Sequence, residues 1–249
     1  MCIRDRILTE LGVKRLHKIE QIDVEVVRLP KGLTVEKALE IFNKRGEVLY
    51  AEPNYILELA SNLNAEVVDQ WGLQKIEAPA AWAEVPGHVP AVLAVVDTGV
   101  DRNNPDLYDN IWTNPDEDGT DTLDNDGNGK INDTWGWDFV NNDNDPMDDH
   151  MHGTAVSSVA AGNQNGSGVA GVCPWCQIMA VKVMSADGSG TLDAAAAGII
   201  YAADQGAQVI NLSLSAPGGS QTLANAVEHA WSAGALVVAA AGNNGAEIT

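Results

Sequence analysis

The sequence predicts an α/β fold: a parallel sheet with helices on both faces, preceded by a small α+β unit. Beyond residue 90, four near-continuous apolar segments (91–97, 177–184, 207–212 and 235–240) alternate with three helical segments (152–161, 192–205 and 221–233). Strands that are apolar on both sides belong to a sheet buried on both faces, as parallel sheets are. The pattern before residue 60 is different, with shorter, half-apolar elements. The ends of the later strands carry Asp97, then Asn211 to Ser215, then Gly242-Asn243-Asn244. Open α/β sheets bind ligands beyond the carboxyl ends of their strands, so these polar ends are expected to face one crevice.

Taken in order, residues 1–6 (Met-Cys-Ile-Arg-Asp-Arg) match the translation of a sequencing-library adapter and read as a scar outside the fold. Residues 7–60 form the α+β unit. Segment 22–29 alternates apolar and polar like a half-buried strand. Thr34 caps a helix running to Lys44, with Ala38, Leu39, Ile41 and Phe42 on its apolar face and Gly46 as a stop. Segments 48–51 and 55–57 read as strands around Pro53, and the polar stretch 61–70 as a linker. Residues 71–249 make the larger unit. It stops in a loop at 243–249 with no closing element, which reads as a C-terminal truncation.

A chain of 249 residues can bury one large and one small core. Its net charge of −21 is asymmetric. Residues 1–60 are neutral in sum, whereas everything after them carries 25 acidic side chains against Lys75, Arg102, Lys130 and Lys182. Such a surface argues against nucleic acid and anionic membranes as partners, and suits cations. No apolar run is long enough for a membrane span, and none near the start reads as a signal peptide. Cys173-Pro174-Trp175-Cys176 has the spacing of redox and zinc motifs. No helix start precedes the first Cys and no further ligands cluster nearby, so a small loop disulfide in an oxidising compartment is the expected state.

The chemistry concentrates in two segments. Val95-Val96-Asp97-Thr98-Gly99-Val100-Asp101 puts an acid at a strand end, and His152-Gly153-Thr154-Ala155-Val156 opens a helix with a histidine. Either residue alone is unremarkable, a capping Asp or a loop His. Together, acid first and histidine second, the segments resemble the motifs of the subtilisin-like serine proteases (subtilases). The resemblance extends along the chain. Residues 7–59, ending Ala51-Glu52-Pro53-Asn54-Tyr55, look like the family's inhibitory propeptide, and Trp71 to Ile76 with Ala80-Ala81-Trp82 like the start of its mature enzyme. It implies a serine endopeptidase in which Asp97 orients His152, His152 is general base then acid, and Asn243 donates to the oxyanion. Gly188-Ser189-Gly190 and Ser213-Leu214-Ser215 resemble the two edges between which the family lays its substrate as an extra strand.

Several positions depart from the family pattern. Met151 stands where Gly often precedes the histidine, Ala155 where a second His is frequent, and Ser157-Ser158 where Ala-Gly is frequent. No serine up to Thr249 sits in the Gly-Thr-Ser-like turn that carries the family's nucleophile. In family order that turn follows the Asn243 segment, so the 249-residue chain is expected to be inactive. His150 and His152 lack the neighbouring ligands that a zinc site needs.

Between acid and histidine, from Asp97 to Asp149, lie sixteen acidic residues against two basic ones. Like charges at this density repel unless cations bind. Asp124, Asp126 and Asn128, followed by Gly129, space oxygen ligands like the first half of an EF-hand loop. Lys130 would offer its carbonyl and Ile131 an apolar anchor. Trp135 stands where the bidentate Glu belongs, and Asp133 is the candidate substitute. Asp138, Asp143 and Asp145 form a second candidate set, resembling the calcium loop that precedes the catalytic histidine in thermostable subtilases. The expected cofactor is structural Ca2+. The expected partners are polypeptide substrates and the chain's own propeptide, as inhibitor and folding template, in a secreted monomer. The rival is a calcium-binding or peptide-binding module that keeps this scaffold without catalysis.

Overall fold

The computed structural model describes residues 8, 10–59, 70–84, 90–215 and 218–243. The scar at 1–6, the linker at 61–69 and the terminal residues 244–249 lie outside the described residues.

The N-terminal unit is built on an antiparallel hairpin of β1 (Lys14–Ile19) and β2 (Val24–Arg28). Strand β1 is missing from the sequence prediction because only Ile19 of it is fully buried, so it carries little apolar signal. Helix α1 (Val35–Phe42) starts as predicted, with the Thr34 hydroxyl accepting from the Lys37 amide at 3.4 Å. It ends at Phe42, two residues before the predicted Lys44. Asn43 then turns its side chain onto Ala51, accepting from its amide at 2.9 Å and donating to its carbonyl at 3.4 Å. That clamp replaces the strand predicted at 48–51, whose backbone joins no ladder. Val13, Ala38 and Phe42 form the small core.

The strand predicted at 55–57 appears as β3 (Ile56–Leu59) and leaves its own unit. Two short helices, α2 (Trp71–Lys75) and α3 (Ala78–Glu84), open the larger unit. A five-stranded sheet follows, containing β4 (Val92–Asp97), β5 (Gly136–Asp138) and β6 (Gln177–Lys182). After β6 come β7 (Ser189–Thr191), which is outside this sheet, and then β8 (Val209–Leu212) within it. The short β9 (Leu214–Ser215) precedes the last sheet strand, β10 (Leu236–Ala239). The sheet order is β10-β8-β4-β6-β5 and every pairing is parallel. Strand β5 escapes apolar patterning because it is three residues long inside a polar stretch. Gly136 is needed there: its φ is +120°, and a Cβ would lie 1.8 Å from the Ala180 carbonyl oxygen.

Alternate residues of β4 and β6 serve opposite faces. Ala94, Val96, Met179 and Val181 pack with α5 (Leu192–Asp204) and α6 (Gln221–Ser232). Val95, Ile178 and Ala180 pack with Val156 and Ala161 of α4 (His152–Ala161). The sheet is thus covered on both faces, and its strand ends deliver the loops of the site to one edge.

Leu57 of β3 is fully buried in the main core. Leu57→Ala should cost about 2–5 kcal/mol by the usual large-to-small penalty. Denaturant titration of the chain should detect it, with faster amide exchange confined first to residues 56–59.

Candidate active site

Asp97 is the last residue of β4 and His152 the first of α4, so the pair bridges a strand end and a helix start. His152 Nδ1 lies 2.8 Å from Asp97 Oδ1 and 2.9 Å from Oδ2. The two side chains are 0% and 1% exposed. A carboxylate held this way selects the imidazole tautomer with its proton on Nδ1. Asp97 Oδ1 also accepts from the Thr98 amide at 2.7 Å.

The close approach needs two glycines. A Cβ on Gly153 would sit 2.1 Å from the Gly99 carbonyl oxygen, and one on Gly99 (φ +103°) 2.6 Å from that of Pro146. Met151, in the position before the histidine, is left-handed with φ +85°, a conformation that suits the family's glycine better than a side chain. On α4 one of the other departures is absorbed locally, Ser158 donating back to the Thr154 carbonyl at 2.9 Å, whereas Ser157 Oγ is buried without a hydrogen-bond partner.

Two positioning residues were not anticipated. Asp148 ties the two halves of the pair together. Its Oδ1 accepts from Thr98 Oγ1 (2.8 Å) and the His150 and Met151 amides (2.9 Å each), and its Oδ2 from the amide (2.9 Å) and hydroxyl (2.5 Å) of Thr154. Burial pushes its pKa up, but these bonds outweigh burial and hold the carboxyl below the usual range. Lys182, 1% exposed at the end of β6, donates to the Thr98 carbonyl (2.7 Å), the Met184 carbonyl (3.0 Å) and Asp149 Oδ1 (2.5 Å). Neither has a sequence signature: Asp148 is one aspartate in an acidic run, and Lys182 ends an apolar strand.

Strand β3 lies in the cleft beside this pair. It forms the middle of a three-stranded antiparallel sheet, with β7 on one side and β9 on the other. Leu57 pairs with Gly190, Glu58 with both Ser189 and Ser215, and Leu59 with Leu214. The structure thus brings five of the six proposed substrate-edge residues, all but Ser213, to the ladder or to direct contact with this strand. Gly188 (φ +76°) is the contact: a Cβ there would lie 3.1 Å from Leu59 and 3.3 Å from His150 Nε2. Ser213 accepts from the Asn211 side chain at 2.9 Å.

The N-terminal unit is fastened beyond the strand as well. Glu52 caps α6, accepting from Ser220 Oγ (2.9 Å) and the Gln221 (2.9 Å) and Thr222 (3.0 Å) amides. Burial raises its pKa, but these bonds prevail and keep it low. Asn54 exchanges two hydrogen bonds with Asp193 at the start of α5. Asn243 follows β10 at the same end of the sheet as Asp97, with β8 between their strands, and is exposed.

Residues 90–249 match the family model described as the subtilase family, and residues 3–54 match the fervidolysin N-terminal prodomain. The chain belongs to the subtilase family. It is 40% identical over 245 residues to a thermophilic serine proteinase of Bacillus sp. (strain AK1), covering 97% of this chain and 55% of that one. It is 45% identical over 177 residues to thermitase of Thermoactinomyces vulgaris, covering 71% of this chain and 55% of thermitase. Among solved structures it resembles fervidolysin from Fervidobacterium pennivorans, described as a keratinolytic enzyme related to subtilisin. That match has a TM-score of 0.74 and 28% identity, and covers 97% of this chain and 38% of that one. The chain spans about half the length of the curated relatives it matches. The prodomain match covers most of the N-terminal unit, and β3, which follows it, pairs with β7 and β9 of the larger unit.

The acidic insertion of this subtilase gathers only part of the predicted ligand set. Asp124 accepts from the Gly127 (2.8 Å), Asn128 (3.1 Å) and Gly129 (2.9 Å) amides. Asp126 accepts from Gln205 Nε2 at 2.9 Å. Among the described residues, Asp124 and Asp126 make one close carboxylate group, and its third member is Glu117. Asn128 instead donates to Asp126 (2.8 Å) and Asp133 (3.0 Å). Asp133 is buried and accepts from Tyr201 on α5 at 2.5 Å and from Asn114 at 3.1 Å. Burial pushes its carboxyl pKa up, against the pull of the Tyr201 and Asn128 bonds. Ile131, expected as an apolar anchor, is 53% exposed. The core side of the loop is taken by Lys130, whose ammonium lies 4.9 Å from the centres of the Trp137 and Phe139 rings.

The second predicted set is not brought together. Asp138 is buried and accepts from the Val140 (2.7 Å) and Asn141 (2.9 Å) amides. Asp143 accepts from the Asp145 amide at 3.1 Å, and Asp145 pairs with Arg102 at 2.7 Å. The spacing Asp138, Asp143, Asp145 therefore makes a hydrogen-bonded turn. The Cys173–Cys176 disulfide is present.

Met151→Gly should raise stability by about 1 kcal/mol, because the left-handed strain it relieves exceeds the entropy glycine adds to the unfolded chain; thermal melts would show it. Asp148→Asn should destabilise the chain near neutral pH. A carboxyl with a lowered folded pKa contributes its stability above the unfolded value of about 3.9 and loses it as pH falls through the folded one. The gap between parent and variant urea midpoints should therefore shrink as pH falls from the unfolded value through the folded one.

Proposed function

We propose that this chain is the prodomain and the first part of the catalytic domain of a secreted, calcium-dependent serine endopeptidase. The observation that carries the reading is the buried Asp97–His152 pair beside a cleft that accepts an extended strand between two backbone edges. In the proposed mechanism a polypeptide takes the place of β3, bound through main-chain hydrogen bonds to the Gly188–Gly190 and Ser213–Ser215 edges. Asp97 holds the Nδ1–H tautomer of His152. The other ring nitrogen, Nε2, takes the proton of a serine hydroxyl as that oxygen attacks the scissile carbonyl, then returns it to the leaving amine. Asn243 and a backbone N–H bind the oxyanion, a contact whose loss typically costs about 10²–10³ in rate. The serine belongs to the turn that follows the Asn243 segment in family order. While β3 fills the cleft, the prodomain excludes substrate and holds the edges in register, which supports its reading as inhibitor and folding template.

The cation expected of the acidic insertion fits the residues there. Glu117 presents a buried oxygen without a hydrogen-bond partner, next to Asp124 and Asp126. When bound, Ca2+ would supply structural charge neutralisation; no proton-transfer step involves it. Its effect on catalysis would be indirect, through the loop that leads to His152. The disulfide supports an oxidising, extracellular setting. The proposed protein acts as a monomer.

The full-length gene product, freed of its prodomain, should hydrolyse casein; Asp97→Asn should lower kcat by about 10⁴ and His152→Ala by about 10⁶. The 249-residue chain should hydrolyse none. A full-length protein that folds, binds extended peptides and cleaves nothing would instead be a non-catalytic peptide-binding module.

A further inference from the structure

We infer that Glu117, Asp124 and Asp126 together form the binding site for a hard divalent cation, calcium above others, with Glu117 supplying the carboxylate that the loop pattern lacks. This rests on the proposed calcium role of the acidic insertion and gives that role a ligand set. Glu117 precedes Asp124 by seven positions and falls outside the Asp-x-Asp-x-Asn-Gly spacing. Even so, one oxygen from each of the three residues lies within 4.8 Å of the other two.

The second, independent observation is Glu117 itself, which keeps only 8% of its exposure. Its Oε1 accepts from the Asn125 (2.9 Å) and Asp126 (3.3 Å) amides, which anchors the carboxylate over the loop. Its Oε2 is buried and has no hydrogen-bond partner. A carboxylate oxygen stripped of water and given no donor is costly, and native proteins rarely tolerate one without an ion or ligand.

The two cationic side chains of the insertion are engaged elsewhere. Arg102 is engaged with Asp145 and lies over the Trp135 ring, and Lys130 sits over Trp137 and Phe139. A cation among the three carboxylates removes their mutual repulsion and gives Oε2 a partner at once. Calcium suits the donors: it takes six to eight oxygens in irregular geometry, whereas magnesium requires a near-ideal octahedron. Asp133, the candidate substitute by sequence, is committed to Tyr201, Asn128 and Asn114 and braces the loop on α5 instead.

The test is calorimetric titration of CaCl2 into the EDTA-stripped 249-residue chain and its E117Q, D124N and D133N variants, with thermal melts of each. E117Q keeps the Oε1 acceptor and removes the charge. It should weaken one calcium-binding event by about tenfold or more, as D124N should, while D133N changes it by less than about threefold. The melts carry a signature that a purely structural Glu117 would not give. In EDTA, E117Q should melt at or above the parent, because an unpartnered buried charge is gone. In calcium the order should reverse. If E117Q binds like the parent while D124N does not, the loop holds the ion alone and the assignment of Glu117 falls with the calcium reading intact. Calcium uptake that neither variant disturbs would also overturn the site. A folded parent that binds no calcium would overturn both readings.

Discussion

The carboxylate of Asp97 and the imidazole of His152 meet in the interior, where either would be costly alone. The surrounding structure is arranged to make that contact hold. Strand β4 delivers the acid, α4 delivers the base, and glycines at 99 and 153 let the two backbones approach. Asp148 and Lys182 then bond to both sides of the junction, through Thr98 on the strand side and through Thr154 and Asp149 on the other. The pair is therefore held by side chains behind it, anchored on the end of a parallel sheet.

The same sheet edge explains why the prodomain docks as it does. Strands β7 and β9 pair with β3 through backbone groups, a mode of docking that depends little on the sequence of the inserted strand. Specific contacts come from the side: Leu57 is buried in the core, Glu52 caps α6 and Asn54 meets Asp193 at the start of α5. Two helix starts of the catalytic domain are thus completed by the prodomain. Caps and strand are thus supplied to the larger unit by the same short stretch, residues 52–59.

The acidic insertion follows a different logic. Its many carboxylates are mostly satisfied by their own loop amides, which is how a chain of −21 net charge folds a dense acidic stretch beside a buried histidine. The loop is fastened to α5 through Tyr201 and Gln205, and α5 begins where the β7 edge ends. A cation bound in this insertion would act on the cleft through that helix as well as through the loop that leads to His152.

The sequence by itself determined four of the five strands of the parallel sheet and the three helices that alternate with them, the polar ends of those strands, and Asp97 and His152 as a pair. Apolar runs and a strand-end acid are local signals, written in consecutive residues. It also marked the Gly188–Gly190 and Ser213–Ser215 edges, because small residues there were meaningful once the family resemblance was on hand. Only the tertiary structure decided which aspartates cooperate. Glu117 joins Asp124 and Asp126, whereas Asp133 turns to Tyr201 and Asp138 to its own loop, since ligand geometry depends on where a loop folds back and not on spacing alone. Asn43 dissolving the predicted strand at 48–51, and β3 leaving its own unit for the cleft, have the same cause. Backbone groups pair with whatever the fold brings near them, and partners distant in sequence leave no local trace.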